Sequence, residues 1–251
     1  MPPRVYPRCC IHVPRDIIRD PDPSIYDQQL VFSTGGTPTF NSPDIETFNY
    51  WPFHPIKNLA VTLRNLSADC SANQTRLDLS WSPWGIGLPR QAIGTHFINL
   101  ARLGFPGSEG TIEVPLPPAV AAAGRYGIFA KVIHPYDRDP TNNEGEQTAD
   151  GFQTSHARSK AFVIPVRNPT SSMQTIALTA GPSAVTPWVA LTPATVTLAA
   201  GAQTNVTAVV TVPNSIPASP SGTLISATID ILATMSGGYL GGVAILVLVD
   251  A

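Results

Sequence analysis

The sequence predicts an all-β protein made of two tandem β-sandwiches behind an extended proline-rich arm, and three observations carry that expectation. Charged residues are only 13% of the 251, and 26 prolines and 19 glycines punctuate short runs rich in Val, Thr, Ile and Leu. Such a mixture is poor in helix formers and rich in turn formers. The apolar runs alternate with period two, and no segment with the helical period interrupts them. The length allows one large domain or two of ordinary size, and a break in the periodicity favours two.

Residues 1–43 form the arm, where prolines leave few stretches of alternation. Ile17-Ile18 and Leu30-Val-Phe32 are its candidate edge strands, and Ser33-Thr-Gly-Gly-Thr-Pro38 is turn chemistry. Residues 44–166 form the first module. In it Leu59, Val61 and Leu63 alternate with Ala60, Thr62 and Arg64, and Leu77, Leu79 and Trp81 alternate with Arg76, Asp78 and Ser80. Weaker strands are read at 92–98 and 110–116, and stronger ones at 124–133 and 160–166. Arg167-Asn-Pro-Thr-Ser-Ser172 is rich in turn formers and marks the expected boundary. The second module, 167–251, then carries strands at 175–179, 188–191, 195–198, 204–212, 223–233 and 242–249. The last of these, Val243-Ala-Ile-Leu-Val-Leu-Val249, falls far short of the roughly 20 residues that a membrane-spanning helix needs and reads as a buried strand.

The most informative strand is Gly124-Arg-Tyr-Gly-Ile-Phe-Ala-Lys-Val-Ile133. Gly124-x-Tyr126-x-Ile128 has the spacing of a tyrosine corner, in which a Tyr entering a sandwich strand turns its hydroxyl back onto the preceding backbone. Together with Ser42-Pro-Asp-Ile45, Val61-Thr-Leu-Arg-Asn65, Leu79-Ser-Trp-Ser82 and Asp139-Pro-Thr-Asn-Asn-Glu144, it resembles the CARDB-like class of bacterial immunoglobulin-like modules. Trp188-Val-Ala-Leu-Thr-Pro193, Thr195-Val-Thr-Leu-Ala-Ala-Gly201 and Val206 to Pro213 resemble the NEW3-like class. The resemblance implies immunoglobulin-like sandwiches with Tyr126, Trp81 and Trp188 in structural roles, and it transfers no catalytic residue. Ile128 stands where the second cysteine of an antibody domain would be.

A net charge of −2 gives no general attraction to phosphate backbones, so nucleic acid is not an expected partner. Cys9, Cys10 and Cys70 are an odd set that allows at most one bridge within the chain. Cys9, Cys10 and His12 fit no metal spacing and read as a small apolar patch. The first twelve residues carry positive charge without the apolar stretch of a signal peptide. The fold type favours an extracellular or surface setting, and a cytoplasmic one stays open.

Two constellations offer chemistry. Asp137, Asp139, Asn142, Glu144 and Glu146 bring oxygen donors suited to Ca²⁺ onto one polar loop, but their spacing is not that of an EF-hand, and a solvated hairpin connection with Asp-Pro and Asn-Asn as turn residues is the simpler reading. Trp51, Phe53 and Trp84 lie near turns, where aromatics stack on sugars or anchor a protein, or else close the end of a sandwich. Ser108 lies outside any nucleophile motif, and no zincin, P-loop or Rossmann fingerprint is present. The expected function is therefore a non-catalytic structural or binding module that docks on a larger protein assembly or surface. The alternatives are a carbohydrate-binding accessory protein using Trp51 and Trp84, and a hydrolase assembled from loop His and Asp residues. The arm is expected either to connect to another subunit or to fold back on its own first module.

Overall fold

The computed structural model describes residues 20–47, 58–122, 125–155, 158–182, 188–214 and 227–249. In its first half the strands are β1 (Pro23–Ser24), β2 (Ile45–Thr47), β3 (Asn58–Asn65), β4 (Ala72–Pro83), β5 (Gln91–Leu100), β6 (Glu109–Pro115), β7 (Tyr126–Ile133) and β8 (Glu144–Gln147). The second half has β9 (Ala149–Thr154), β10 (Ser159–Arg167), β11 (Gln174–Gly181), β12 (Val189–Thr192), β13 (Thr195–Leu198), β14 (Gln203–Thr211), β15 (Ala227–Met235) and β16 (Gly238–Val249). The helices among the described residues are short: α1 (Gln28–Ser33), α2 (Pro118–Ala122) and a 3-10 turn at Pro140–Asn142. The chain is all-β. No helix among the described residues is long and apolar enough to cross a membrane.

The strands form four sheets that enclose two cores. On one side of the first core β1 and β2 pair with β3, which also pairs with β6; on the other the order is β5-β4-β7-β8. The period-two positions meet there: Leu59, Val61, Leu63, Leu77, Leu79, Trp81, Ile128, Ala130 and Val132 are all buried in one cluster. The second core lies between β10-β14-β12 and β13-β11-β15-β16-β9 and contains Phe162, Ile164, Val206, Val210, Ile231, Ile245 and Trp188.

The division differs from the sequence reading in one respect. The strand read at 160–166 belongs to the second core, because β10 pairs with β14 along its whole length, from Ser159↔Thr211 to Arg167↔Gln203. The chain changes cores at Thr148, where β8 ends and β9 begins its parallel pairing with β16. Arg167-Asn-Pro-Thr-Ser-Ser172 is a turn inside the second half. Asn168, fully buried, donates to Ser172 O, Leu198 O and Ala199 O and accepts from Thr170 N, so the turn-forming residues stitch two loops together.

The same device recurs in the first half. Asn65, also fully buried, donates to Cys70 O and Ala101 O and accepts from Asp22 N and Ser67 N. Arg64-Asn-Leu-Ser67 and Arg167-Asn-Pro-Thr170 thus place an Asn at the end of an equivalent strand. Its amide satisfies backbone groups that the turning chain would leave orphaned.

The described part of the arm, residues 20–43, lies on its own chain. Pro23 and Ser24 pair with Asn65 and Arg64, and Ile25 enters the first core. Leu30-Val-Phe32 is helical and does not form the expected edge strand. Asp27 caps α1 by accepting from Leu30 N at 2.8 Å, and Gly35, at φ +81°, ends the turn. Ile17, Ile18, Cys9, Cys10 and His12 lie outside the described residues. Cys70 is buried and disulfide-bonded.

Two plugs hold the halves together. Trp84 and Ile86, on the connection from β4 to β5, sit in the second core, where the Trp84 indole N–H donates to Thr148 O at 2.8 Å. Ile86 N donates to Pro165 O and Arg167 N to Ile86 O, both at 2.9 Å. Gly87, at φ +68°, fits because an added Cβ would lie 2.3 Å from Arg167 O. Phe40, with no exposed surface, packs on Gly242, whose Cβ position would fall 2.2 Å from the Phe40 ring. Phe40 N donates to Asp230 at 2.7 Å, and Phe40 O accepts from Thr148 N at 3.0 Å.

Replacing Asn65 or Asn168 by Ala is expected to destabilise the protein by about 3 kcal/mol or more in urea unfolding, since each change strands several buried backbone groups. Asn205→Ala, at an exposed position, is the control and should shift the midpoint little. Gly87→Ala should lower the melting temperature through the clash with the Arg167 carbonyl.

Candidate functional site

A groove with a volume of about 690 Å³ lies on the outer face of the sheet β5-β4-β7-β8. Alternation places it there. From Thr75 to Trp81 the odd-numbered residues of β4 are turned inward, so Arg76, Asp78 and Ser80 face outward. Opposite them in register stand Phe97, Thr95 and Ala92 of β5, and Ile133, Lys131 and Phe129 of β7.

The groove is lined by paired charges. Arg76 donates to Asp78 at 2.6 Å, Thr95 donates to the other oxygen of Asp78 at 2.7 Å, and Lys131 meets Glu144 at 2.5 Å. The Arg76 hydrogen bond is the main reason that Asp78 titrates below the usual carboxylate range. Arg90 lies flat over the Phe129 ring, 3.8 Å from its centroid. Phe97 is 60% exposed.

Beside Arg90 the groove meets a second, smaller hollow formed by Gln28, Gln29, Glu144, Gly145, Glu146, Tyr239 and Leu240. Here α1 covers the edge of β8. The Gln28 side chain accepts from Glu146 N at 3.0 Å and donates to Glu146 O at 2.6 Å, as a neighbouring strand would. The Glu146 carboxyl is buried and accepts from the Tyr239 hydroxyl. Burial raises its pKa to about 8, against the partial relief that Arg90 provides. Asp230, beneath Phe40 and Thr39, is likewise raised by burial, to about 6.

The five oxygen-bearing residues of the acidic loop go to different places. Asp137 accepts from the Asn143 side chain at 2.5 Å and from Asp139 N at 3.1 Å. Asp139 caps the 3-10 turn through Thr141 N, and Asn142 donates to Asp22 of the arm at 3.0 Å. Glu144 is on the sheet face and Glu146 under α1. Among the described residues no group of three or more His, Cys, Asp or Glu is placed to hold a metal ion.

Trp84 is a core residue, 4% exposed, because the connection that carries it is pulled into the second core. It is therefore withdrawn from any sugar-stacking surface. Trp51 and Phe53 lie outside the described residues. Trp81 and Trp188 are buried in the first and second cores. Tyr126 packs against the first core, and burial raises its pKa to about 12. Among the described residues its hydroxyl makes none of the backbone bonds that a tyrosine corner requires.

Both ring nitrogens of His134 are engaged by backbone: Nε2 with Asn73 O at 3.1 Å, and Nδ1 with Tyr136 N at 3.3 Å. That fixes the tautomer with the proton on Nε2, and burial lowers the pKa of the ring. The groove residues Arg76, Arg90, Phe97 and Lys131 went unmarked in the sequence. The available signal was the polar half of the β4 alternation, which locates an outward face without saying that it is concave.

The protonation of Glu146 has a measurable consequence. A carboxyl whose pKa is raised on folding contributes stability below its unfolded value, near 4.5, and that contribution is lost as pH rises through about 8. Glu146→Gln should therefore flatten the fall in melting temperature over this range and exceed the wild type at pH 8. A wild-type melting temperature that rose steadily from pH 5 to pH 8 would contradict this.

No protein-family model matches the chain, and no curated protein does. Among solved structures it is similar to the α-2-macroglobulin of Escherichia coli activated by porcine elastase, at 15% identity and a TM-score of 0.26, covering 78% of this chain and 21% of that one. The Salmonella α-2-macroglobulin reacted with methylamine gives 16% identity and a TM-score of 0.25, with 86% and 17% covered. The chain thus spans about a fifth of the length of these proteins.

Proposed function

We propose that this protein is a non-catalytic structural or binding module that docks on a larger protein assembly or surface. The observation that carries the reading is the welding of arm and sheets into one body that presents a broad outer sheet face. Polar groups that would serve catalysis are spent on architecture: Asp137 and Asp139 on their own loop, His134 on backbone, Asp230 on the arm. Among the described residues the ion-paired groove with Phe97 is accessible, and it is a surface suited to polar contact with a partner. A bound saccharide would use the same face, since Phe97 is the aromatic that lies open there.

Gel filtration of extracts from the source, followed by immunodetection, tests the reading: the chain should elute in a complex larger than itself. A panel of ester, peptide and glycoside substrates sets the opposite outcome. Turnover abolished by a single His or Asp substitution would replace the docking module with an enzyme.

A further inference from the structure

The edges of the four sheets are not treated alike. β8 is capped by the Gln28 side chain. β6 carries Glu109 and Glu113, and β10 carries Lys160, Pro165 and Arg167 and is bridged by Ile86. β9 carries Asp150, and β1, β2, β12 and β13 have four residues or fewer. Short length, charge, proline and cover are the ordinary means of keeping an edge from pairing with another chain.

β5 has none of them. It is ten residues long, Gln91-Ala-Ile-Gly-Thr-His-Phe-Ile-Asn-Leu100, without Asp, Glu, Lys, Arg or Pro. It ends the sheet order β5-β4-β7-β8, and among the described residues its only ladder is with β4. Its inward side chains Ile93 and Ile98 are only half-buried against the first core, and Phe97 stands open on the outer face. Register with β4 shifts between Leu79 and Ser80 and again between Ala72 and Thr75, and between the two shifts Thr95 and Phe97 follow in regular alternation.

We propose that β5 pairs antiparallel with β5 of a second copy of this chain, joining two four-stranded sheets across a twofold axis. The occupant follows from the strand's own chemistry. An isologous contact sets each strand against itself, and a charged edge would oppose like charges there. This edge brings none. Pairing satisfies the outward N–H and C=O groups of both strands, completes the burial of Ile93 and Ile98 on each side, and brings the two Phe97 rings onto one continuous face. The proposal rests on the docking reading in that the contact is between protein surfaces, and it adds that one such surface is complementary to itself.

Sedimentation of the purified protein at about 100 µM is the test, since a Kd on the order of 10 µM already leaves most chains paired at that concentration. The wild type should sediment as a dimer that dissociates on dilution. Phe97→Lys and Thr95→Lys, both at exposed positions, should each give a monomer that keeps the circular dichroism spectrum of the wild type. Val163→Lys on the exposed face of β10 should remain dimeric. If Phe97→Lys misfolds, Thr95→Lys decides. A wild-type monomer throughout overturns the proposal, as does a dimer that survives both β5 substitutions. Either result leaves the docking reading standing, because that reading requires elution in source extracts above the size of a homodimer.

Discussion

Phe40 is the residue on which the relation of the two halves depends. It belongs to neither sandwich by sequence, yet its ring lies against Gly242 of β16, its N–H is bound by Asp230 of β15, and its carbonyl takes the N–H of Thr148 where the chain crosses between cores. One apolar ring thus closes a seam that has backbone polar groups on every side. A seam of that kind holds only if each of those groups finds a partner, because an unpaired buried amide costs more than a made hydrogen bond returns. The arm therefore acts as internal mortar. Removing the Phe40 ring would open a cavity in the seam, while the bonds to Asp230, which come from Phe40 N and the Thr39 hydroxyl, do not depend on the ring.

The seam also explains why two carboxyls are buried where apolar residues would seem the safer choice. Asp230 and Glu146 face the arm from different halves, and each is held away from its usual titration range by burial. Both serve as acceptors: Asp230 for Phe40 N and the Thr39 hydroxyl, Glu146 for the Tyr239 hydroxyl. A protonated or well-bonded carboxyl is tolerable in such a place, whereas an isolated charge is not. Arg90 contributes a distant countercharge to Glu146 while spending its flat face on Phe129. The polar groove and the buried seam consequently share a residue.

Period-two alternation made most strands legible, because a half-buried strand writes its facing directly into the chain. Leu59, Val61 and Leu63, and later Thr204 to Val212, could be placed on strands from that alone. Alternation states which side of a strand is wet and leaves its neighbours unspecified, which is why β10 was visible as a strand but its membership of the second core was not. Trp84 illustrates the same blindness: a Trp beside Pro and Gly looks like a loop aromatic, and only its distant contacts with Phe162 and Thr148 make it a core residue. The acidic loop was ambiguous in sequence for a different reason. Asp oxygens that could ligate a cation are equally apt to bind the N–H groups of a turning backbone, as Asp137 and Asp139 do here. The repeated Arg-Asn-x-Ser/Thr at residues 64 and 167 was legible as a pattern, and its purpose came from two buried amides that satisfy their loops in the same way.

The parallel pairing of β9 with β16 sets an order on assembly. β16 comes well after β9 in the sequence, and it occupies the interior of its sheet between β15 and β9. On a ribosome the first core's strands are all available once β8 has emerged, whereas β9 must wait for the segment from Gly238 to Val249 before it has a partner. Until then one flank of β15 and the whole inner edge of β9 are bare strand, and the apolar run at 243–249 has yet to leave the exit tunnel. The strand that closes the mature sheet is made after both of the strands it joins.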